Sequence, residues 1–352
     1  MKARPEAIHA DCARSLGTTG VSRLEPLRGG KLFLTGATGF VGTWLLSLIS
    51  YLNDIHGFGV EVTAIARRPS RLAEQAPFLA NRSEITLVQS DIRQLIEVPA
   101  GTRWIIHAAA VPDSRHHATN PIETASVIGE GTARILRLAE PSESLERLLH
   151  FSSGLVHASS VSEPRNEQGR SRVGASSVYT EAKGFSEALC AAYRSQARLP
   201  IVITRPFTFL GPFQALDAPW AANNFLHSAL NGQPLKLLGS GDTARSYLYG
   251  SDMAVLALHQ LLQGQSGETY DLGGAEAVRL IELAKIVVQQ ANRPLEIRVN
   301  TAGRDARAAD LLPDLSKSEK AFGFKPAFSA AEAVARTLEW HSGAAKRMAA
   351  GS

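Results

Sequence analysis

Cysteine is scarce in this chain, with only Cys12 and Cys190 among 352 residues. Two cysteines so far apart have neither the spacing of a metal site nor a disulfide framework, so a reducing compartment such as the cytoplasm is expected. The ten histidines form no zinc-spaced group with cysteine or aspartate, and no metal is predicted. We expect His107 to be a packed strand residue, and His116 and His117 to lie in a polar, solvent-exposed loop.

Long apolar runs and strong charge are also missing. The longest apolar run, residues 41–52, contains Ser and Thr and is shorter than the roughly 20 residues that cross a bilayer. It therefore predicts a buried helix and no membrane insertion. Residues 1–30 have no apolar core of the length that a signal peptide needs. The formal net charge is only +4, with scattered basic residues, so no nucleic-acid partner is predicted.

Short apolar runs alternate with helical stretches along most of the chain. Helices at 121–139 and 179–195 are among the predicted separators. The predicted strands are residues 31–35, 60–66, 85–90, 103–109, 147–153 and 200–206. Such alternation indicates βαβ units and a parallel sheet covered on both faces. The predicted fold is α/β, a Rossmann-type doubly wound parallel sheet with a smaller α/β C-terminal domain that binds substrate.

The predicted domain boundaries follow this pattern. Residues 1–29 lack sustained periodicity and are expected to be an N-terminal extension of uncertain order. The dinucleotide-binding domain is expected to span 30–205 and to receive about 245–265, with a tail at 346–352. The segment 206–220, rich in Pro and aromatic residues, predicts a loop lining a site. The substrate domain is expected to comprise 206–244 and 266–345, with helices near 221–231, 251–263 and 328–341 and a strand at 234–239.

A glycine-rich turn, TGATGFVG, follows the first predicted strand. Gly36, Gly39 and Gly42 stand where the strand ends and the next helix begins. Glycines in this position permit a tight turn, allow the backbone to approach a pyrophosphate, and direct a helix N-terminus at its negative charge. The turn therefore predicts a dinucleotide site.

The end of the second strand distinguishes NAD from NADP. It reads Ala66-Arg67-Arg68-Pro69, without the carboxylate that would bind the adenosine ribose, whereas arginine accommodates a 2′-phosphate. NADP is favoured, and NAD is the alternative. Asp91, after the third strand, is placed either to contact adenine or to cap the following helix.

The stretch SVYTEAKG contains a tyrosine and a lysine four residues apart. Positions i and i+4 share a helix face, so Tyr179 and Lys183 can both reach one bound molecule. In isolation this spacing is more often an exposed helix face than a reacting pair, and only the surrounding motifs can decide.

Those surroundings carry a resemblance. The glycine turn, IIHAAA (105–110), FSS (151–153) and the Tyr-x-x-x-Lys helix occur in this order. With them the chain resembles the extended short-chain dehydrogenase/reductase family, and more narrowly its nucleotide-sugar epimerase/dehydratase branch. The resemblance runs from about residue 28 to 342 and includes TRPFTFLGP (204–212), GDTARSY (241–247), GETYDLGG (267–274) and LPDLSKSEKAFGFKP (312–326).

The resemblance implies roles for particular residues. Tyr179 would be the acid/base, and Lys183 would bind the nicotinamide ribose and lower the pKa of the phenol. Ser153, with Ser152 as the competing choice, would hydrogen-bond the reacting oxygen. The residues expected to bind the cofactor are Gly36, Thr38, Gly39, Phe40, Val41, Gly42, Arg67, Arg68, Asp91, Ile92, Ala108, Ala109, Ala110, Lys183 and Pro206.

The resemblance further implies a nucleoside diphosphate sugar as substrate. Arg245 matches the family's diphosphate-binding arginine, and bidentate guanidinium contacts suit a diphosphate. Arg304 is a second candidate, with Arg307 close by, and Asn223 would be a further contact or a helix cap. A homodimer formed through helices that include the Tyr179 helix is also implied.

One departure from the family pattern bears on the reaction. Sugar 4,6-dehydratases of this branch carry an Asp-Glu pair after the Ser/Thr, where this chain has Gly154 and Leu155. Dehydration is therefore disfavoured, which leaves hydride transfer at C4. Retained cofactor would give 4-epimerisation, whereas consumed NADPH would give reduction of a 4-keto sugar. The alternatives are a dehydratase with relocated acid/base groups, a reductase of a non-sugar ketone, and a catalytically silent dinucleotide-binding protein.

Overall fold

A computed structural model of the protein describes residues 5–158, 178–300 and 310–350. Its helices are α1 (Pro5–Leu16), α2 (Phe40–His56), α3 (Ser70–Gln75), α4 (Pro77–Ala80), α5 (Ser114–Thr119), α6 (Pro121–Ala139), α7 (Leu155–Ala158), α8 (Val178–Ala197), α9 (Ala221–Leu230), α10 (Gly250–Gln263), α11 (Leu280–Gln290), α12 (Ser316–Phe322) and α13 (Ala330–Ala350). Its strands are β1 (Lys31–Thr35), β2 (Glu61–Ala66), β3 (Ile85–Gln89), β4 (Thr102–His107), β5 (Arg147–Phe151), β6 (Ile201–Pro206), β7 (Thr208–Leu210), β8 (Leu235–Leu238), β9 (Ala244–Arg245), β10 (Tyr247–Tyr249), β11 (Thr269–Leu272), β12 (Val278–Arg279) and β13 (Ile297–Asn300). Two 3₁₀ segments lie at Val21–Leu27 and Ile92–Gln94.

A parallel sheet forms the centre of the described part of the chain. Its seven strands lie in the order β11-β6-β5-β4-β1-β2-β3, and each neighbouring pair is parallel. Strands β1, β4 and β5 are buried along almost their whole length, as expected for a sheet covered on both faces. The predicted Rossmann-type α/β fold is confirmed.

The strand order changes direction beside β1, and this positions the site. From β1 the chain adds β2 and β3 on one side, and then crosses back to place β4 on the other. In open α/β sheets, ligands bind at such a switch point, in the crevice outside the carboxyl ends of the strands. The loops that follow β1 and β4 therefore border the expected site.

Residues 5–16 and 21–27 form regular helical segments, in the part of the chain whose order the sequence pattern left uncertain. Ile8, Cys12 and Leu16 are buried on one face of α1, which packs against α2 and α10. The buried carboxylate of Asp11 accepts a 2.6 Å hydrogen bond from the Tyr249 hydroxyl. The apolar spacing of four residues is a helical stripe, and this signal was present in the sequence.

Corrections concern the C-terminal half. The predicted loop 206–220 contains β7, which pairs in parallel with β10. Strand β11 comes from a segment assigned to the substrate domain, yet it pairs with β6 and extends the main sheet. Helices α11 and α12 were not predicted.

The apolar run at 41–52 lies in α2, where residues 42–52 are all buried. The prediction of a buried helix is confirmed. Within the ranges that the structure describes, no helix combines the length and apolar character needed to span a membrane.

Candidate active site

The glycine turn lies at the carboxyl end of β1 and opens α2. Gly36 has a φ of 76°, and a Cβ there would lie 2.6 Å from the carbonyl oxygen of Ala108. A Cβ on Gly42 would lie 2.4 Å from the carbonyl oxygen of Gly36. Both contacts are too short for any larger residue, so these glycines are required by the backbone.

The start of α2 suits a phosphate group. Its N-cap is Gly39, no side chain caps the helix, and no acidic residue stands in its first turn. A Cβ on the exposed Gly39 would meet only the carbonyl oxygen of Gly36, at 3.3 Å. Backbone N–H groups at a helix N-terminus attract anions, so Gly39 and the first residues of α2, Phe40 and Val41, fit a dinucleotide pyrophosphate.

The end of β2 marks the side on which the adenosine would lie. Arg67 and Arg68 follow this strand directly, and both are exposed. Arg67 also lines a shallow depression with Val111, His116, Glu123, Thr124, Val127 and Ile128. A positive charge beside an open depression at the sheet edge is compatible with an anionic group on the ribose.

Asp91 is a helix cap in this structure. Its Oδ1 accepts a 2.9 Å hydrogen bond from the Arg93 backbone N–H, and its carboxylate pairs with the Arg93 guanidinium, which also pairs with Glu123. Hydrogen bonds from Arg93 lower the pKa of Asp91 to about 2. Of the two roles considered for Asp91, the structure therefore supplies the cap, and contact with adenine stays a prediction.

Tyr179 and Ser153 come together at the carboxyl end of β5. Tyr179 is in the first turn of α8 and is partly buried. Burial raises the pKa of Tyr179, and the nearby Ser153 side chain opposes that shift. The resemblance implied that Lys183 lowers the pKa of the Tyr179 phenol. In the protein without bound dinucleotide, the pKa of this phenol is instead raised.

Lys183 lies one turn further along α8 and is buried, with 3% of its surface exposed. Its Nζ donates a 2.6 Å hydrogen bond to the carbonyl oxygen of Phe151. Burial lowers the pKa of the Lys183 ammonium to about 8. The lysine is thus anchored to the end of β5, close to the tyrosine and the serine.

Ser152 has a different partner from Ser153. Its Oγ donates to Glu187, and Glu187 also forms a salt bridge with Arg205 at 2.7 Å. Burial acts to raise the pKa of Glu187, but hydrogen bonds from Arg205 and Ser152 outweigh it and hold the pKa below its usual value. Ser152 is engaged with Glu187, whereas Ser153 Oγ accepts a 3.2 Å hydrogen bond from the Leu155 backbone N–H and keeps its own hydroxyl hydrogen for Tyr179.

His117 was expected in an exposed loop, and that prediction was wrong. It lies on α5, is buried, and stacks on the ring of Tyr179 with centroids 4.2 Å apart and planes 9° apart. His107 is a packed strand residue as predicted, and its Nδ1 lies 2.8 Å from Thr35 Oγ1. An Asp113 side chain caps α5, a signal that would have identified this short helix in the sequence.

The predicted substrate residues lie in varied settings. Arg245 is partly buried on β9, and its Nη1 donates a 2.8 Å hydrogen bond to the carbonyl oxygen of Ala244. Burial lowers the pKa of this guanidinium, which favours a desolvated anionic partner. Arg304, like the nearby Arg307, lies outside the described residues.

Asn223 is fully buried in α9. Its Nδ2 donates to the carbonyl oxygens of Ala215 (2.8 Å) and Ala218 (3.3 Å), and its Oδ1 accepts a hydrogen bond from Gln214. The side chain thus orders the loop before α9, whose N-cap is Trp220. This arrangement gives no support to either predicted role, the diphosphate contact or the helix cap, because the amide is occupied and Trp220 holds the cap position.

The remaining predicted cofactor residues lie near the same edge. Thr38 is in the glycine turn, and Pro206 ends β6 next to the serine-bearing strand. Ala108, Ala109 and Ala110 follow β4 directly and are partly exposed. Ile92, in contrast, is buried, so its side chain is a core residue.

The two positions after Ser153 carry no acid. A Cβ on Gly154 would lie 2.9 Å from the Phe207 ring, so a larger residue would require that ring to move. Two carboxylates near this turn are already engaged: Glu187 as above, and Asp271, which lies 3.2 Å from His157 and accepts from the Asp314 backbone. In the described ranges, no group of three or more His, Cys, Asp or Glu side chains is arranged to hold a metal ion.

Comparison with known sequences confirms the family resemblance. A profile of the NAD dependent epimerase/dehydratase family matches residues 32–273, more than half of the chain. UDP-glucuronic acid decarboxylase 4 of Arabidopsis thaliana is 27% identical over 303 residues, which cover 84% of this chain and 65% of the relative.

Solved structures share the fold. The Bordetella bronchiseptica enzyme WbmF in complex with NAD+ and UDP superposes with a TM-score of 0.74 at 19% identity, covering 92% of this chain and 96% of that chain. UDP-glucuronic acid 4-epimerase from Bacillus cereus in complex with UDP-glucuronic acid and NAD has a TM-score of 0.70 at 21% identity, covering 88% and 98%.

Proposed function

The chain belongs to the NAD-dependent epimerase/dehydratase family, and on this basis we propose that it is an enzyme that transfers hydride at C4 of a nucleoside diphosphate sugar. The observation that carries the proposal is the grouping of Tyr179, Ser153 and the buried Lys183 at the carboxyl end of β5, where Lys183 Nζ donates to the Phe151 carbonyl oxygen. This group lies at the same edge of the sheet as the glycine turn. A proton acceptor and a dinucleotide site therefore border one crevice.

The protein's own residues supply the proton chemistry. A dinucleotide held by the glycine turn and Lys183 would supply the hydride chemistry at the sugar carbon. Tyr179 takes the proton of the C4 hydroxyl as the carbonyl forms, and Ser153 hydrogen-bonds that oxygen. In the protein alone Lys183 does not lower the pKa of the phenol. With the dinucleotide bound, we expect its charge to stabilise the phenolate, and Lys183 is also the residue that would hold the nicotinamide ribose.

Epimerisation and 4-keto reduction are the outcomes that the site supports best. Gly154 and Leu155 supply no acid/base group, and the nearby Glu187 and Asp271 are engaged in hydrogen bonds. These observations disfavour dehydration. The relative and the structural neighbour are named for reactions of UDP-glucuronic acid, so this sugar nucleotide is the first substrate to test. Oxidation of UDP-glucuronic acid at C4 places a ketone β to the C6 carboxylate, and a β-keto acid can lose CO₂, so decarboxylation begins with the same oxidation.

The family is NAD-dependent, and we propose NADP as the preferred dinucleotide for this chain. Arg67 and Arg68 are exposed at the end of β2, and residues 66–69 contain no carboxylate. Arginine there suits the 2′-phosphate of NADP. We further propose that Arg245 contacts the substrate diphosphate, because it is a partly buried guanidinium on the C-terminal side, and that Arg304 assists.

We also propose a homodimer formed through α6 and α8. These helices pack against each other and carry the exposed apolar side chains Ile122 (85%) and Phe185 (56%). Covering such side chains in a dimer would remove their apolar surface from water, which is favourable. A cytoplasmic location fits Cys12 and Cys190, which are buried free thiols.

The test is an anaerobic incubation of purified protein with nucleoside diphosphate sugars and their 4-keto forms. The panel contains UDP-glucuronic acid, UDP-glucose and dTDP-glucose, each with and without NADPH, and products are separated by mass and NMR. Isomer formation without net cofactor change identifies an epimerase, CO₂ release a decarboxylase, and NADPH loss with a 4-keto sugar a reductase.

The matched control is Tyr179→Phe. It should bind the dinucleotide as the wild type does and lose turnover by about 10²–10⁴-fold, the contribution of a positioned acid/base. Full activity of Tyr179→Phe would contradict the mechanism. If the wild type binds the dinucleotide but converts no substrate of the panel, a dinucleotide-binding protein without catalytic activity would be favoured instead.

A further inference from the structure

The residue stacked on the tyrosine is not part of the proton chemistry described above. The His117 ring lies face to face with the Tyr179 ring, with centroids 4.2 Å apart and an angle of 9° between the planes. His117 is 8% exposed. It comes from α5, which follows the β4 exit loop, whereas Tyr179 comes from α8. The stack therefore joins two segments distant in sequence.

Contacts on two sides fix the His117 ring. Its Nε2 lies 2.5 Å from the Val111 carbonyl oxygen, and because a carbonyl only accepts, Nε2 carries the hydrogen. Its helix is capped by Asp113, which accepts from the backbone N–H of Arg115 at 2.8 Å. The Arg115 guanidinium in turn donates to the carbonyl oxygen of Asp217 at 2.6 Å. The ring is thus bonded to the β4 exit loop, and its helix is tied through Arg115 to the loop before α9.

Burial favours the neutral form of the His117 ring. Burial lowers its pKa, and the hydrogen bond to Val111 opposes that shift. The charged groups that face it are His116 and Asp113 on its own segment and Lys183 from α8. A neutral ring adds no charge beside the phenol, so its effect on Tyr179 is to orient the phenol and to exclude water.

Tyr179 needs such support because of its place in the helix. It is the second residue of α8, and helix ends fray. We propose that His117 is a positioning residue that holds the Tyr179 phenol against Ser153 and keeps water from one face of it. This inference rests on the proposed function, since it concerns the same acid/base.

The test reads Tyr179 directly and needs no substrate. The protein is labelled with ¹³C at the ζ carbon of tyrosine, and its six tyrosines are titrated by NMR. The Tyr179 resonance is assigned by its disappearance in Tyr179→Phe. The titration is repeated in His117→Ala, in His117→Phe, and in Thr119→Ala, an exposed position on the same helix.

We expect His117→Ala to lower the Tyr179 pKa by about one unit, because water then reaches the phenol. His117→Phe keeps an aromatic face and should restore the wild-type value, and Thr119→Ala should leave it unchanged. With a sugar nucleotide that the wild type converts, His117→Ala should lower kcat about tenfold with little change in KM, because a misplaced acid/base slows the chemical step. His117→Phe should recover most of the lost kcat.

An unchanged Tyr179 resonance and pKa in His117→Ala would overturn the proposal, whatever the activity. Should His117→Ala fail to fold by circular dichroism, His117→Asn takes its place, because it retains a donor for Val111 but has no ring. If no sugar nucleotide is turned over, the NMR titration still decides the role of His117. Failure of the proposed function and failure of this inference are therefore distinguishable.

Discussion

Replacing Lys183 by methionine should change how the stability of the protein depends on pH. Lys183 is 3% exposed, and burial lowers the pKa of its ammonium from 10.5 to about 8. Between these two values the unfolded chain binds more protons than the folded chain, so the free energy of unfolding rises with pH. Below pH 8 the buried charge carries its full energetic penalty.

The magnitude follows from the two pKa values. At about 1.36 kcal/mol per pKa unit, the penalty below pH 8 is about 3 kcal/mol. Linkage predicts that this penalty on the free energy of unfolding decreases by about 2 kcal/mol between pH 7 and pH 9.5. Methionine has nearly the same length and no charge, so Lys183→Met should lack this component.

The assay is chemical denaturation followed by tryptophan fluorescence at half-unit pH steps from 7 to 9.5. The quantity compared is the difference in unfolding free energy between wild type and Lys183→Met, in which other titrating groups cancel. That difference should shift by about 2 kcal/mol in favour of the wild type as pH rises. The control is Lys320→Met, at an exposed position on α12, whose curve should run parallel to that of the wild type. Parallel curves for Lys183→Met as well would refute the assignment of Lys183 as a desolvated ammonium.

Two further predictions test the cofactor end and the loop before α9. Arg67→Ala and Arg68→Ala should each weaken binding of NADP about tenfold more than binding of NAD, because the charge-assisted contact to the 2′-phosphate is lost. Binding is measured by fluorescence titration, and an equal loss of affinity for both dinucleotides would count against a preference for NADP. Asn223→Ala should lower the free energy of unfolding by about 1–3 kcal/mol, because Gln214 and the carbonyls of Ala215 and Ala218 lose a buried partner. The exposed neighbour Asn224, changed to alanine, is its control, and equal denaturation midpoints for the two variants would contradict the role given to Asn223.

The central sheet could be predicted from the sequence because its signals are local. The run KLFLT is β1 as predicted, and residues 121–139 are α6. Both are uniform stretches in which apolar pattern, length and flanking residues agree. The glycine turn was recognisable for a similar reason, since the strand, the glycines and the helix follow one another without a break.

The parts that were missed depend on contacts distant in sequence. Strand β7 has three residues, and only its pairing with β10 makes it a strand. The sequence around His117 indicates a polar loop, because the ring that stacks on it belongs to Tyr179, 62 positions later in the printed sequence. Asparagine is a residue type that often contacts ligands, but the buried Asn223 side chain hydrogen-bonds Gln214 and the loop before α9 instead. In each case the decisive neighbour has no fixed spacing that a sequence pattern could detect.

The order of contacts along α8 explains why the tyrosine and the lysine act as one unit. Positions 179, 183, 186 and 187 form one stripe of the helix, since they are spaced i, i+4, i+7 and i+8. Each position on the stripe contacts the end of β5 or the residues just after it: Tyr179 with Ser153, Lys183 with the Phe151 carbonyl, Ser186 with His150, and Glu187 with Ser152. A rotation of α8 or a slide along its axis would disrupt all of these contacts together, because they share one rigid helix and one strand end. The acid/base and the buried ammonium therefore hold their separation through the packing of the helix.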